Sequence, residues 1–352
     1  MKMETYFLKV KEAFMAPAEY GWYDGSNTPV PVMVSASSLA AIEQKQMYGQ
    51  IRTPDVFILR AVVMLGYATP DMVVKCLKVL RKIEGGEKAI PVPDKGDLVM
   101  RLYDLVNMGI LYRYCFKIAG EERDIYSISY IGSSFYNHMA GIDYRQDSFD
   151  KAYNNIPGMM KMRRLSSSYV TIAYASAVSD MVTKVKSNDI VKFSDGTCIL
   201  YNRLELKTAE GKEYVLIFEP AFRFFDGSLL SEADNEENLL CRLRDIKRHI
   251  DYRRNMTTSI DGEKVARYSG VYLVLLVEDK AALDRAVRIV NTYYPELLEC
   301  VWFTTTNAFK MLGNPRMSFF TIEVTAVEDN TEEVKYRLMP AFHKDLLTEK
   351  ME

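Results

Sequence analysis

Two stretches in the second half of the chain are almost wholly apolar: YVLIFE (Tyr214–Glu219) and GVYLVLLVE (Gly270–Glu278). A strand with one wet face alternates apolar and polar residues, so these runs read as strands covered on both faces. Between them lies NEENLLCRLRDIKRHIDYRR (Asn235–Arg254), in which Leu239, Leu243, Ile246 and Ile250 recur at helical spacing among charges. Strand, helix, strand of this kind predicts a parallel pair joined by a crossover. The alternation continues. DKAALDRAVRIVNTYY reads as a helix capped by Asp279, CVWFTTT as a strand and NAFKML as the start of a short helix. Upstream, TCILYNRLELK (Thr197–Lys207) is strand-like, and the turn AEGKE joins it to YVLIFE as an antiparallel hairpin. SSSYVTIAYASAVSDMVTKVK (Ser166–Lys186) reads as an amphipathic helix of about five turns.

The first half has a different period. TPDVFILRAVVMLG opens with cap chemistry at Thr53-Pro54 and sets Phe57, Ile58, Ala61, Val62 and Leu65 at helical spacing before a stop at Gly66. YATPDMVVKCLKVLRKI repeats the signal from Thr69-Pro70, and GDLVMRLYDLVNMG forms a third helix ending near Gly109. ILYRYCF and IYSISYIG then flank a polar turn as a hairpin. Three helices followed by a hairpin is the order of a winged helix. The stretches LxxLVxxGILYR (Leu102–Arg113) and IYSISYIGSSFY resemble that family. Residues 1–50 are expected to form an arm on this module, with a strand in PVPVMVSAS and a short helix in SSLAAIEQKQ.

The expected fold is thus α/β with an α+β N-terminal module: arm 1–50, winged-helix-like domain 51–145, linker 146–165, mixed-sheet α/β domain 166–325 and tail 326–352. In a winged helix the third helix enters the major groove and the hairpin follows the backbone. The basic residues placed to meet duplex DNA are Lys75, Lys78 and Lys82, which share one side of the second helix. Lys95, Arg101, Arg113, Lys117 and Arg123 stand on the third helix and the hairpin. Asp94, Asp97 and Asp104 on or before the third helix oppose phosphate, so a protein partner is the competing expectation. KMRR (Lys161–Arg164) is a further basic cluster, read as a charged linker.

The chain carries 45 Lys and Arg against 47 Asp and Glu, so no global basic field draws it to nucleic acid. Its five cysteines form no CxxC pair, which argues against a zinc ribbon or a disulfide framework. The N-terminus lacks the apolar core of a signal peptide, and a cytoplasmic protein that neither spans nor needs a membrane is expected. There is no GxGxxG, no GxxxxGK[ST] and no GxSxG. The three histidines, His138, His249 and His343, stand in no metal-binding spacing, and His249 is expected on the surface of its charged helix.

The order of elements from Thr53 to Leu312 is similar to that of the replication-relaxation family of bacterial mobile elements, which joins a winged helix to a restriction-endonuclease-like PD-(D/E)xK domain. The resemblance rests on SDG (Ser194–Gly196), on VLIFEPAFR (Val215–Arg223), and on LVLLVEDKAALDRAVRIV with VWFTTTNAFK (Leu273–Lys310). It implies a DNA-associated accessory role in replication or mobilisation, with a relaxase or replication protein as partner and possible homodimerisation. It implies Asp195 and Glu219 as the nuclease carboxylates, with Mg²⁺ required only if the domain is active and no other cofactor. The residue two beyond Glu219 is Ala221 rather than Lys, leaving Lys247 on the next helix as the nearest substitute base. A literal string, Asp195 with Glu205-Leu206-Lys207, spans about 33 Å if it lies on one strand, too far to share a metal. Simple hairpin register sets Glu219 opposite Asn202 or Arg203. A vestigial nuclease is therefore expected, with an active Mg²⁺ nuclease or a protein-interaction module as the alternatives.

Overall fold

The computed structural model describes residues 3–15, 30–32, 38–85, 90–118, 121–141, 158–193, 196–221, 232–260, 263–328 and 333–341. It is a mixed α/β structure that divides into two compact units, one of residues 23–172 and one of residues 1–22 with 173–352.

In the unit of residues 23–172, α2 (Leu39–Met47), α3 (Thr53–Leu65), α4 (Pro70–Ile83) and α5 (Lys95–Asn107) precede the hairpin β2 (Leu111–Ile118) and β3 (Glu121–Ile128). The strand β1 (Val30–Val32) adds an antiparallel edge to β2. Between α3 and α4, Ala68 forms a bridge with Tyr126 of β3, giving the hairpin a further antiparallel contact. The caps follow the sequence. Thr69 accepts from Met72 N–H at the start of α4, and Gly66 ends α3 at φ 72°. The start of α3 moves by one residue: Thr53 is helical and Arg52 is the cap, its N–H bonded to Asp55. α6 (Tyr130–Ala140) follows the hairpin, with Ser129 capping it and donating to the Gly109 carbonyl.

The other unit is built on a seven-stranded sheet of order β12-β11-β10-β9-β6-β5-β4. β6 (Glu213–Pro220), β9 (Gly270–Leu276) and β10 (Val301–Thr304) are parallel, as their apolar runs require. β5 (Gly196–Lys207) pairs antiparallel with β6, so the expected hairpin is present. On one face, α8 (Glu232–Arg254) and α9 (Lys280–Tyr293) bury Leu243, Ile246, Ile250, Val287 and Val290 against Val215, Ile217, Leu273 and Leu275. Tyr174, Phe218, Phe309, Phe319 and Trp302 form an aromatic cluster apart from that core, with Tyr174 4.7 Å and Trp302 5.7 Å from Phe319. Ahead of β9 in the chain, β7 (Thr257–Ile260) and β8 (Glu263–Ala266) form a separate two-stranded hairpin.

Four expectations are corrected. The helix read over Ser166–Lys186 is α7 (Gly158–Ala177), and Val182–Phe193 is instead a strand, β4. The alternating β-branched and polar residues of VTKVK suit a sheet position, and α7 stops before them. Consequently residues 158–165 are helical, not linker. The expected tail supplies an edge strand, β12 (Glu333–Pro340), paired along β11 (Phe320–Glu328). Finally, the arm is not one element. β1 joins the three-stranded sheet, while α1 (Met3–Met15) buries Tyr6, Val10, Ala13 and Phe14 in the core of the seven-stranded unit. Tyr6 donates to the Met317 carbonyl at 3.0 Å, and Phe14 lies edge-on to Phe320.

Candidate functional site

β6, β9 and β10 are parallel, so their carboxyl ends lie together, and in open α/β sheets that is where ligands bind. Glu219 stands at this end of β6. Its odd position shares a face with Val215 and Ile217, so its side chain turns toward α8. There Arg242 meets it with two parallel bonds, Nε to Oε1 at 2.7 Å and Nη2 to Oε2 at 2.9 Å. The carboxylate is 1% exposed. A bidentate guanidinium occupies both oxygens and neutralises the charge that a cation would need.

Of the other two expected catalytic residues, only Lys247 is described, and it is held elsewhere. Asp195 lies outside the described residues. In the hairpin register Asn202 faces Phe218 and Arg203 faces Ile217, so Glu219 falls one step past the expected partners. Gly196 begins β5 six residues before Asn202, about 20 Å further along the strand. Lys247 bonds to Asp251 at 2.9 Å and lies 3.6 Å from Glu296. Those carboxylates hold its amine above the ordinary lysine range, so it stays protonated and is no base. Among the described residues no three His, Cys, Asp or Glu side chains gather into a metal-binding group. Of the carboxylates that the resemblance implies for Mg²⁺, the one described, Glu219, has both oxygens taken by Arg242 and does not fit a metal ligand.

The literal Glu205 is half of a different assembly. It is 9% exposed and ion-paired with Arg203, with Arg253 at 4.0 Å and Arg267 at 3.9 Å. Arg253 donates from Nε to His249 Nε2 at 2.9 Å and from Nη1 to the Tyr268 hydroxyl at 3.3 Å. His249 is fully buried, not on the surface as expected. It accepts from a guanidinium, which requires a neutral ring with a bare Nε2. This network ties β5, α8 and the approach to β9. Its signal was present in the sequence: Arg242, His249 and Arg253 interleave with Leu239, Ile246 and Ile250 on one helical stripe, so all three point inward.

In the other unit the eight expected DNA contacts separate into two groups. Arg101 is bound to Asp55 through Nε at 2.6 Å and Nη2 at 2.5 Å, and also to Asp104 at 3.2 Å. Lys95 pairs with Asp71 at 3.0 Å. Arg113 lies 3.5 Å from Asp124 and over the Tyr103 ring at 5.0 Å. Arg123 is half-buried opposite Phe116 and already engaged. Lys117 takes its place opposite Glu122, with its side chain outside the described set. The α4 row differs. Lys78 and Lys82 are exposed with no acidic partner among the described residues, and Lys75 rests 5.9 Å from the Tyr169 ring.

KMRR is not a solvated linker: Lys161 is 8% and Arg163 6% exposed. Lys161 sits over the Tyr114 ring at 4.5 Å, and burial holds its amine below the ordinary lysine range. A depressed lysine pKa means the folded state binds the proton less well, so the charge costs stability at neutral pH, and that cost fades as pH rises toward the unfolded pKa. Lys161→Met is therefore expected to raise the melting midpoint of this unit at pH 7, with a smaller gain at pH 10, as read by circular dichroism.

Searches against family models, curated proteins and solved structures find no match to this chain. Among the described residues no helix is long and apolar enough to cross a membrane.

Proposed function

We propose that the chain is a non-catalytic, DNA-associated accessory protein, pairing a winged-helix module with a nuclease-like domain that has lost its chemistry. The order α3, the Ala68 bridge, α4, α5 and the β2–β3 hairpin supports the first half of that reading. The order α7, β4, β5, β6, α8 and β9, with three antiparallel strands followed by a parallel one, supports the second. The observation that carries the loss of chemistry is the buried Glu219 held at both oxygens by Arg242. Partners in keeping with the resemblance are duplex DNA and a relaxase or replication protein, with the sheet domain serving for docking or homodimerisation.

DNA contact in this reading runs through Lys75, Lys78 and Lys82 of α4 and touches backbone phosphate, not bases. Lysines at i, i+3 and i+7 rise about 10 Å along the helix, which suits successive phosphates on one strand. Three neutralised phosphates give a slope of about −2.7 for log affinity against log salt. Binding to a random duplex is expected to follow that slope. Lys78→Ala with Lys82→Ala removes about two units of it, while Lys95→Ala changes it little. The same tubes, with Mg²⁺ or Mn²⁺ added, are expected to show intact DNA on a gel. Cleavage lost on Glu219→Gln sinks the non-catalytic reading, and absence of binding at low salt sinks the DNA reading.

A further inference from the structure

The solvent face of α5 plays no part in that contact. Asp97, Met100, Asp104 and Asn107 are all exposed on it, in steps of three and four, which is one side of a helix. Met100 is 67% exposed. Arg101, one residue on, donates from Nη2 to the Gln50 carbonyl at 2.5 Å, which holds the turn after α2 beside α5. Just before Gln50 stand Met47 and Tyr48, 81% and 71% exposed. Exposed large apolar side chains rimmed by polar groups mark interaction surfaces, and Met packs against irregular partners.

The charge around them is one-sided. Asp55, Asp71, Asp94, Asp97 and Asp104 outweigh Arg52, Lys95 and Arg101, and two of those cations are already spent on Asp71 and on Asp55 with Asp104. The Asp94 carboxylate accepts the Asp97 N–H at 2.9 Å and stays ionised. Phosphate meets repulsion on this face. So does a second copy of it, because a two-fold contact sets the same acidic patch of both copies, Asp97 and Asp104 included, against itself.

We propose that the α5 face docks a partner protein through a basic amphipathic helix. Apolar side chains of that helix cover Met100 and Tyr48, and its cations meet Asp97 and Asp104. Helix packs on helix through the apolar side chains, and charge sets the choice of partner. It stands independently of DNA contact through α4.

The test uses the full chain and two labelled peptides of about five helical turns, one with Leu at i, i+3, i+4 and i+7 and Lys elsewhere, the other with Glu in place of Lys. Fluorescence anisotropy is expected to show the Lys peptide bound at least about ten-fold more tightly than its Glu twin. Met100→Lys with Asp97→Lys is expected to weaken it by about ten-fold or more, without loss of DNA binding or of the melting midpoint. Both substitutions point into water, and Met100→Ala serves as a milder second variant that removes only the apolar contact. Equal binding of the two peptides, or unchanged binding by the double variant, overturns the proposal.

Discussion

Arg242→Ala is expected to destabilise the seven-stranded unit by about 3–5 kcal/mol, the usual cost of stranding one partner of a buried ion pair. Glu219 is 1% exposed and both its oxygens are bonded to this guanidinium. For a unit of this size the loss is roughly 10 °C in melting midpoint. Glu219→Gln is expected to cost less, about 1–2 kcal/mol, because the Arg242 side chain is 25% exposed and turns to solvent. Replacing both, Glu219→Leu with Arg242→Met, is expected to return close to the parent, since two apolar side chains need no solvation. Scanning fluorimetry compares the three variants with the parent. If Arg242→Ala is neutral, Glu219 is not the sealed charge described above, and the case for lost chemistry weakens with it.

The second large effect belongs to Gly132. It is the third residue of α6, and a Cβ built there would lie 2.0 Å from the Ile110 carbonyl oxygen and 2.9 Å from its carbon. That oxygen also accepts the Ser129 N–H at 3.0 Å, so it is not free to move. Helix propensity alone favours alanine over glycine by about 1 kcal/mol. Here the sign reverses. Gly132→Ala is expected to lose about 3 kcal/mol, at the upper end of overpacking costs, because the obstacle is backbone and not a flexible side chain. Ser134→Ala, on the exposed side of the same helix, is expected to be neutral or slightly stabilising. Urea unfolding of both variants separates the close approach from propensity.

The parallel core was legible because YVLIFE and GVYLVLLVE leave no wet face. The caps at Thr69 and Asp279 were legible because they are local chemistry. β4 was hidden because Met181–Lys186 continues the apolar spacing of α7, and only pairing with β5 decides in favour of a strand. The site was less legible still. Glu219 was visible as an acidic strand end, yet its meaning depends on Arg242, 23 positions away, whose place on the inward stripe of its helix does not say which carboxylate it meets. Likewise Arg101 looked like a DNA contact because its sequence neighbours cannot reveal Asp55, 46 positions earlier, on α3. Pairing across elements turned several exposed-looking cations into internal ones, and that information lies in tertiary geometry alone.

The placement of α1 sets a schedule for the growing polypeptide. Tyr6 and its partner Met317 are 311 residues apart. At about 5–20 residues per second, α1 leaves the ribosome some 15–60 s before the strand it covers exists. The nested unit of residues 23–172 is complete in the interval and can fold while α1 still has nothing to cover. The first helix must therefore wait, with Val10 and Phe14 uncovered, and the sheet unit closes only when its last strands arrive. A fragment beginning at residue 173 would hold every strand of that sheet and still lack one wall of its core.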